Sequence, residues 1–144
     1  QCGRRIVDMV WEDLTPEKIV TPASVRNSAV VAMATGCSTN AVVHLLAMAR
    51  RASIKLDLDD LDALGRTTPL IANIRPSGKG DYLMEDFFYA GGLRALMAEL
   101  GDKLDTSVTT VTGKTLGETL EGPTVYNDDV IRPLSNPVYH AGSL

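Results

Sequence analysis

The sequence has few of the residues that metal centres and disulfide frameworks require. Its 144 residues include only two cysteines, Cys2 and Cys37, and two histidines, His44 and His140. Two cysteines cannot build a disulfide framework or a four-thiolate metal site. The sequence shows no Ser-His-Asp arrangement, no HExxH motif and no CxxC pair, so these common catalytic and metal-binding signatures are missing.

A basic patch and a long apolar run are missing as well. The net charge is −4, the pI is about 5.1, and lysine and arginine do not cluster, which argues against nucleic acid as a partner. The longest apolar stretches, residues 29–34 and 41–49, are too short to span a bilayer, and no secretory signal is visible. With 44% hydrophobic and 22% charged residues, the composition indicates a soluble, globular, cytoplasmic protein without a membrane partner.

The two ends of the sequence predict a piece of a longer chain. The sequence begins at Gln1 rather than at a methionine, and residues 140–144 carry no closing helix or strand signal. A processed or trimmed terminus is the alternative interpretation.

Helical periodicity dominates the first half of the sequence. Apolar residues recur at helical spacing over residues 4–13. Thr15-Pro16 and Thr21-Pro22 each place a capping hydroxyl before a proline at a first helical position. The helix that begins after Thr21 should end at Gly36.

The second half mixes strand and helix patterns. Residues 70–74 form a short apolar run bounded by prolines, and residues 107–112 alternate threonine and valine, so both predict strands. A helix over residues 84–93 should break at Gly91-Gly92, and a short helix should cover residues 116–120. Helices alternating with strands predict a helix-rich α/β fold.

The first candidate site is the segment Gly36-Cys37-Ser38-Thr39-Asn40. Ser38 or Thr39 should cap a helix here, and the unpaired backbone N–H groups, two hydroxyls and an amide would form a corner that binds a carboxylate or a hydroxyl-rich substrate. A simple N-cap is the commoner use of such a pattern, and both interpretations stay open at this point. Cys37 beside the helix start should have a lowered thiol pKa. His44 would either face the corner or lie in the core.

The second candidate site is the loop Pro76-Ser77-Gly78-Lys79-Gly80, which follows the first predicted strand. Ligands of open α/β sheets bind at the carboxyl ends of strands, and this loop offers a hydroxyl and a cation there. A solvated turn is the alternative. The phosphate-loop pattern is not matched, because it requires a glycine five residues before the Gly-Lys pair. The sequence has Asn73 at that position for Gly78-Lys79 and Val108 for Gly113-Lys114.

The acidic run of Asp57, Asp59, Asp60 and Asp62 is interpreted as a helix start. Carboxylates favour the positive end of the helix dipole, and Asp57 is placed to cap the helix. A calcium loop would need an acidic or amide residue at its fifth position and glycine at its sixth, where this sequence has Leu61 and Asp62.

Several motifs, taken in order, resemble one enzyme family. Residues 36–45, reading Gly-Cys-Ser-Thr-Asn-Ala-Val-Val-His-Leu, resemble the G-G-S-T-N-A-x-x-H-L stretch of the dihydroxy-acid and sugar-acid dehydratases, which include phosphogluconate dehydratase. The order continues with Pro76-Ser77-Gly78-Lys79, Tyr82-Leu83-Met84-Glu85-Asp86, Ala90-Gly91-Gly92, Thr110-Val111-Thr112-Gly113-Lys114-Thr115 and residues 127–133. The resemblance covers residues 3–137, and residues 125–134 are most similar to the pentonate type, such as arabinonate or xylonate dehydratase.

The resemblance implies a lyase that converts a 2,3-dihydroxy acid into a 2-keto acid. In the family, an iron–sulfur cluster acts as a Lewis acid on the leaving 3-hydroxyl, Mg²⁺ holds the carboxylate end, and a serine of the second domain takes the C2 proton. None of these metal ligands, nor that serine, has a counterpart in this sequence: Cys37 stands where many members have glycine, and Cys2 matches no ligand position. We therefore expect the chain to be inactive on its own.

In domain terms, residues 1–137 resemble the later part of the family's first domain, and residues 138–144 a truncated interdomain end, with the second, β-rich domain absent. The residues expected to bind or position substrate are Ser38, Thr39, Asn40, Ser77, Gly78 and Lys79. No catalytic residue and no metal ligand is assigned. The expected partners are a small sugar acid or dihydroxy acid and the rest of the enzyme or a second subunit of a homo-oligomer.

Two alternatives remain open. Both motifs could serve folding and the subunit interface instead of substrate. The chain could also be a non-catalytic binding or assembly module, with an anion-binding corner at residues 36–40 or an apolar pairing face around Phe87, Phe88 and Leu93.

Overall fold

The structure, a computed structural model, describes residues 1–142, and these fold mainly into α-helices joined by turns and extended segments. The helices are α1 Cys2–Trp11, α2 Pro16–Ile19, α3 Pro22–Thr35, α4 Thr39–Arg51, α5 Leu58–Thr67, α6 Met84–Tyr89, α7 Gly92–Leu100 and α8 Leu116–Thr119, with a 3-10 turn at Gly101–Lys103. The predicted helix-rich character of the chain is confirmed.

Local sequence signals set both ends of helix α3. The Thr21 backbone N–H donates to Ser24 Oγ at 2.9 Å, and the Ser24 N–H donates to Thr21 Oγ1 at 3.2 Å, which closes a capping box ahead of Pro22. Gly36 ends the helix in the left-handed conformation with φ 65°. The predicted start and stop of this helix are confirmed.

Helix α3 packs on both sides against apolar clusters. The larger cluster joins α3 to α6, α7, α8 and the segments around residues 71 and 131, and its fully buried side chains include Val30, Ile71, Leu96, Leu100 and Ile131. The smaller cluster joins α3 to α4 and α5 through Ala29, Met33, Val42 and Leu61. Full burial of one such large aliphatic side chain contributes about 1.5–3 kcal/mol, so this packing holds α3 against its neighbours on both sides.

Residues 70–74 carry mostly buried apolar side chains as predicted, but they make isolated bridges rather than a regular strand. The bridges, both antiparallel, are Leu70–Tyr139 and Ala72–Ile131. The N–H groups of Ile71 and Ala72 both donate to the carbonyl oxygen of Ala34, at 3.0 and 3.1 Å. That carbonyl lies at the end of α3, where a helix leaves its last carbonyls unpaired. The N–H groups of Ile71 and Ala72 are therefore bonded to the end of α3 and are not available to pair with a neighbouring strand.

The prediction of a second strand over residues 107–112 is wrong, because the chain folds back at this point. Thr109 forms an isolated bridge with Thr115, and the Gly113 N–H donates to the Thr110 carbonyl oxygen at 3.0 Å. Gly113 adopts φ 81°, which closes the turn after too few residues for a ladder.

The predicted break in the helix over residues 84–93 is confirmed. Gly91, with φ 119°, separates α6 from α7. Thr115 caps α8 through a capping box, in which Thr115 Oγ1 accepts from the Glu118 N–H at 3.2 Å and Glu118 Oε2 accepts from the Thr115 N–H at 2.8 Å.

Helix α1 begins and ends two residues before the predicted range 4–13, and it lies on the surface. Within residues 1–142 it buries none of its side chains, and Trp11 is 84% exposed. The other exposed apolar residues of α1 are Ile6, Val7 and Val10. Arg5 ties the helix to the turn at residues 107–115, because its Nε donates to the Val111 carbonyl oxygen at 2.6 Å.

Residues 138–142 pack against the helices of the first half. Val138 is buried, and the Gly142 N–H donates to the carbonyl oxygen of Gly65 in α5 at 2.8 Å. A Cβ atom on Gly142 would lie 2.9 Å from Met33 Cβ, so the contact with α3 is close. Of the expected interdomain end at 138–144, residues 143 and 144 lie outside the described residues.

Candidate functional site

The first candidate motif forms an exposed corner between α3 and α4. Gly36 turns the chain away from α3, and Ser38, in an extended conformation, precedes the first residue of α4. Among the described residues, the Ser38 side chain makes no cap hydrogen bond. Ser38, Thr39 and Asn40 are all exposed. The corner therefore presents two hydroxyls and an amide to solvent at a helix start.

The structure brings the second candidate motif against this corner. Ser77 Oγ donates to the Gly36 carbonyl oxygen at 2.8 Å, across 41 positions of sequence. The backbones are close enough that a Cβ atom on Gly36 would lie 2.5 Å from Ser77 Cβ. The two motifs that sequence patterns identified separately thus form one surface.

Asn73, which the sequence analysis did not assign to the site, holds the loop of residues 76–80. Its Oδ1 accepts the backbone N–H groups of Lys79, at 2.8 Å, and Gly80, at 3.1 Å. Its Nδ2 donates to the Asp129 carbonyl oxygen at 2.9 Å. The available signal in the sequence was a lone amide side chain inside the apolar run at residues 70–74.

Lys79 supplies a positive charge on the loop that Ser77 joins to the corner. Its Nζ lies 4.4 Å from the centre of the Tyr139 ring, a cation–π arrangement that restrains the ammonium while leaving the residue exposed. Two residues earlier, the Ser77 hydroxyl proton is committed to Gly36. The loop thus carries an ammonium and the corner carries hydroxyl and amide groups, the types of group that bind carboxylates and hydroxyls.

The predicted lowering of the Cys37 pKa is wrong. Partial burial raises the pKa of the Cys37 thiol, and a backbone N–H interaction opposes this effect without reversing it. At this position just before the α4 cap, burial of the thiol outweighs the backbone interaction that favours the thiolate. His44 is exposed on α4, and the interpretation that placed it in the core is wrong.

The acidic run begins α5 as predicted. Asp57 Oδ1 accepts the Asp60 N–H at 2.9 Å, and Asp60 Oδ2 accepts the Asp57 N–H at 3.1 Å. The Asp60 N–H holds the pKa of the Asp57 carboxyl below its ordinary value. The carboxylate is thus a structural cap on this helix.

The iron–sulfur cluster and Mg²⁺ implied by the resemblance do not fit the side chains described here. Residues 1–142 contain no cluster of three or more histidine, cysteine, aspartate or glutamate side chains able to hold a metal ion. Cys2 lies exposed at the start of α1, and Cys37 is half-buried between α3 and α4. A cluster needs several convergent thiolates, so we derive no chemical step through either group from this chain.

An open groove of about 840 Å³ lies away from the corner, between the end of α4 and the start of α5. Its walls include Leu46, Arg50, Ile54, Lys55, Leu56 and Asp59, and none of the six predicted site residues.

Across residues 1–142, no helix has both the length and the apolar character needed to cross a membrane.

Comparison with known proteins identifies relatives along nearly the whole chain. The 6-deoxy-6-sulfo-D-gluconate dehydratase of Pseudomonas putida is 46% identical over 96% of this chain and 24% of its own length. The L-arabinonate dehydratase of Rhizobium leguminosarum bv. trifolii is 45% identical over 99% of this chain and 24% of its own length. The dihydroxy-acid dehydratase of Caldicellulosiruptor bescii is 41% identical over 99% of this chain and 26% of its own length.

The chain therefore spans about a quarter of the length of the curated relatives that it matches. The family model described as dihydroxy-acid/6-phosphogluconate dehydratase N-terminal matches residues 1–119. These residues contain both parts of the candidate site, the corner at 36–40 and the loop at 76–80. On this match, the chain belongs to the dihydroxy-acid/6-phosphogluconate dehydratase family, as part of its N-terminal region.

Proposed function

We propose that this chain is a segment of a hydro-lyase that dehydrates a 2,3-dihydroxy sugar acid to a 2-keto acid. In that reaction the C3 hydroxyl and the C2 hydrogen leave as water, and the resulting enol becomes the 2-keto acid. The proposal rests on family membership and on the site geometry together.

The hydrogen bond from Ser77 to Gly36 is the observation that carries the proposal. It joins two motifs, each similar to a dehydratase motif, into one polar surface beside the Lys79 ammonium. A role in folding alone would account for the Ser77 contact. The substrate-binding proposal also gives a role to Ser38, Thr39 and Asn40, whose exposed hydroxyl and amide groups closely follow Gly36 in sequence.

The residues of this surface bind and orient the substrate. Lys79 pairs with its carboxylate, and the hydroxyl and amide groups of Ser38, Thr39 and Asn40 hydrogen-bond its hydroxyls. Ser77 and Gly78 support the surface from behind, because Ser77 donates to Gly36 and Gly78 packs against Asn73. None of these groups takes or gives the proton of the reaction.

The family resemblance supports a wider proposal. We propose a pentonate as substrate, with metal ligands and the general base supplied by parts of the enzyme outside these residues. Residues 1–137 then form the later part of the first domain, with 138–144 leading out of it. The enzyme is a cytoplasmic homo-oligomer, and these residues alone do not turn over substrate.

A non-catalytic assembly module is the second candidate, and exposed apolar residues on α6 and α7 favour it. Phe88 is 72% exposed and Leu93 is 48% exposed. Phe87, which the sequence analysis placed on the same face, is buried in the core and leaves that face. A monomer at high concentration in light scattering would count against this candidate.

Calorimetric titration tests the binding role directly. We expect L-arabinonate to bind the chain, and Lys79→Gln and Asn40→Ala each to weaken it. Lys55→Gln is the matched control, because Lys55 is also exposed but lies on the groove away from the corner. L-Arabinitol, which has no carboxylate, should release little heat. Equal affinity of L-arabinitol and L-arabinonate would contradict the proposed role of Lys79.

Dehydration is tested with a chimera in which this chain replaces the matching quarter of the Rhizobium leguminosarum relative. The chimera should form a 2-keto acid from L-arabinonate, and Lys79→Gln within it should reduce turnover while Lys55→Gln should not. A folded, iron-loaded chimera without turnover would overturn the proposal. Turnover by the 144-residue chain alone would overturn its inactive status.

A further inference from the structure

We propose that Asn73 is a positioning residue: its side-chain amide fixes the backbone of the Lys79 loop against residues 129–130, and so sets where the Lys79 ammonium meets the substrate. This inference rests on the proposed function of the loop. It goes further because it assigns the placement of the charge to a residue outside both motifs.

Both ends of the Asn73 amide are used. Oδ1 accepts from the N–H groups of Lys79 and Gly80, at 2.8 and 3.1 Å, and Nδ2 donates to the Asp129 carbonyl oxygen at 2.9 Å. The Asn73 backbone N–H also donates to the Val130 carbonyl oxygen at 2.8 Å. One residue therefore links the loop to a segment more than fifty positions later in sequence.

The partly buried Asn73 side chain lies between two core residues in sequence. Its neighbours Ala72 and Ile74 are 0% and 6% exposed, and both belong to the larger core cluster. A polar group placed beside the core costs free energy unless it is hydrogen-bonded. The hydrogen bonds of Asn73 to the loop and to Asp129 satisfy its amide at this position.

Gly78 leaves the loop little freedom to move away from Asn73. A Cβ atom on Gly78 would lie 2.5 Å from the Ile74 nitrogen and 2.6 Å from the Asn73 carbonyl carbon. The Gly78 N–H donates to the Ile74 carbonyl oxygen at 2.6 Å. With the backbone held at Gly78, Lys79 and Gly80, the Lys79 side chain reaches the Tyr139 ring from a fixed origin.

Two substitutions separate positioning from simple stability. Asn73→Ala removes the acceptor for both loop amides, and Asn73→Asp keeps that acceptor while losing the donor to Asp129. Amide hydrogen exchange at Lys79 and Gly80 reports the loop, and calorimetry with L-arabinonate reports the ligand. Asn136→Ala, at an exposed asparagine, is the control and should change neither measurement.

For Asn73→Ala we expect exchange at both amides to accelerate about tenfold or more, and L-arabinonate affinity to fall about tenfold, the scale of one lost hydrogen bond. Asn73→Asp should restore the slow exchange and most of the affinity. Wild-type exchange and affinity in Asn73→Ala would overturn the inference. Where Asn73→Ala fails to fold, fast exchange in a folded Asn73→Asp overturns it, and slow exchange with retained affinity supports it.

The proposed function and the positioning role of Asn73 can be overturned separately. If the wild-type chain does not bind L-arabinonate, the proposed function fails, and the exchange rates alone decide whether Asn73 holds the loop. If the wild type binds and Asn73→Ala binds equally well, the proposed function stands and the positioning role is overturned.

Discussion

Asn27 pairs with the backbone of Asp105 as one strand residue pairs with another. Asn27 Nδ2 donates to the Asp105 carbonyl oxygen at 2.8 Å, and the Asp105 N–H donates to Asn27 Oδ1 at 2.9 Å. Asn27 is 6% exposed, so the amide joins α3 to the segment after α7 from within the core. Buried polar groups of this kind hold two elements in register because they cannot exchange their partners for water.

Asn27→Ala should therefore lower the free energy of unfolding by about 1–3 kcal/mol, because it removes both hydrogen bonds of a buried amide side chain. Urea denaturation monitored by circular dichroism measures this change. Asn136→Ala removes the same side chain from an exposed site and should stay within about 0.5 kcal/mol of wild type. A loss at position 27 no larger than at position 136 would show that the pair contributes nothing.

Gly36→Ala should destabilise the chain more than Gly92→Ala, although both glycines have nearly the same φ, 65° and 63°. Each substitution forces a side chain into the left-handed region, which costs about 1–2 kcal/mol. At Gly36 the new Cβ also meets Ser77 Cβ at 2.5 Å, whereas at Gly92 nothing described lies within 4 Å. Equal unfolding midpoints in urea would mean that the corner and the loop are not in contact.

Asp57→Ala should reduce stability at neutral pH, and the difference from wild type should shrink in acid. The pKa of the Asp57 carboxyl is lower in the folded chain, so its contribution is full above the ordinary aspartate pKa of about 3.9 and is lost as pH falls through the folded value. Thermal unfolding from pH 7 to pH 2.5 follows this change. Asp57→Asn keeps a capping side chain without a charge, and its stability should vary less over the same range.

Cys2 should react with iodoacetamide at pH 8 before Cys37 does. Cys2 is exposed, whereas Cys37 is half-buried and its thiol pKa is raised by that burial. Peptide mass spectrometry over time resolves the two sites. Faster labelling of Cys37 would mean that the corner stabilises the thiolate, as its place beside a helix start first indicated.

Features that depend on neighbouring residues were predictable from the sequence. The caps at Thr21 and Asp57 and the stops at Gly36 and Gly91 each rest on residues within one helical turn, and each is confirmed. Whether residues 70–74 form a regular strand depended instead on the hydrogen-bond acceptors that their N–H groups find. For two of these groups the acceptor is a carbonyl oxygen at the end of α3 and not a neighbouring strand. No local pattern contains this information.

The site divides in the same way. The residue types at 36–40 and 76–80 could be identified from sequence, since glycine, hydroxyl and lysine patterns are local. The Ser77–Gly36 contact and the Asn73 hydrogen bonds depend on tertiary packing, so neither the adjacency of the motifs nor the role of Asn73 could be predicted. The Cys37 pKa was mispredicted because desolvation, not the helix start, controls it.

The surface helix α1 gives this chain a built-in optical probe. Trp11 is the only tryptophan in the sequence, and its indole lies open to water on the apolar side of α1. Its fluorescence therefore reports on the environment of that side of α1 and not on the core. Any polypeptide that covers α1 would shift the emission to shorter wavelength and shield it from iodide, so docking there is observable without a label.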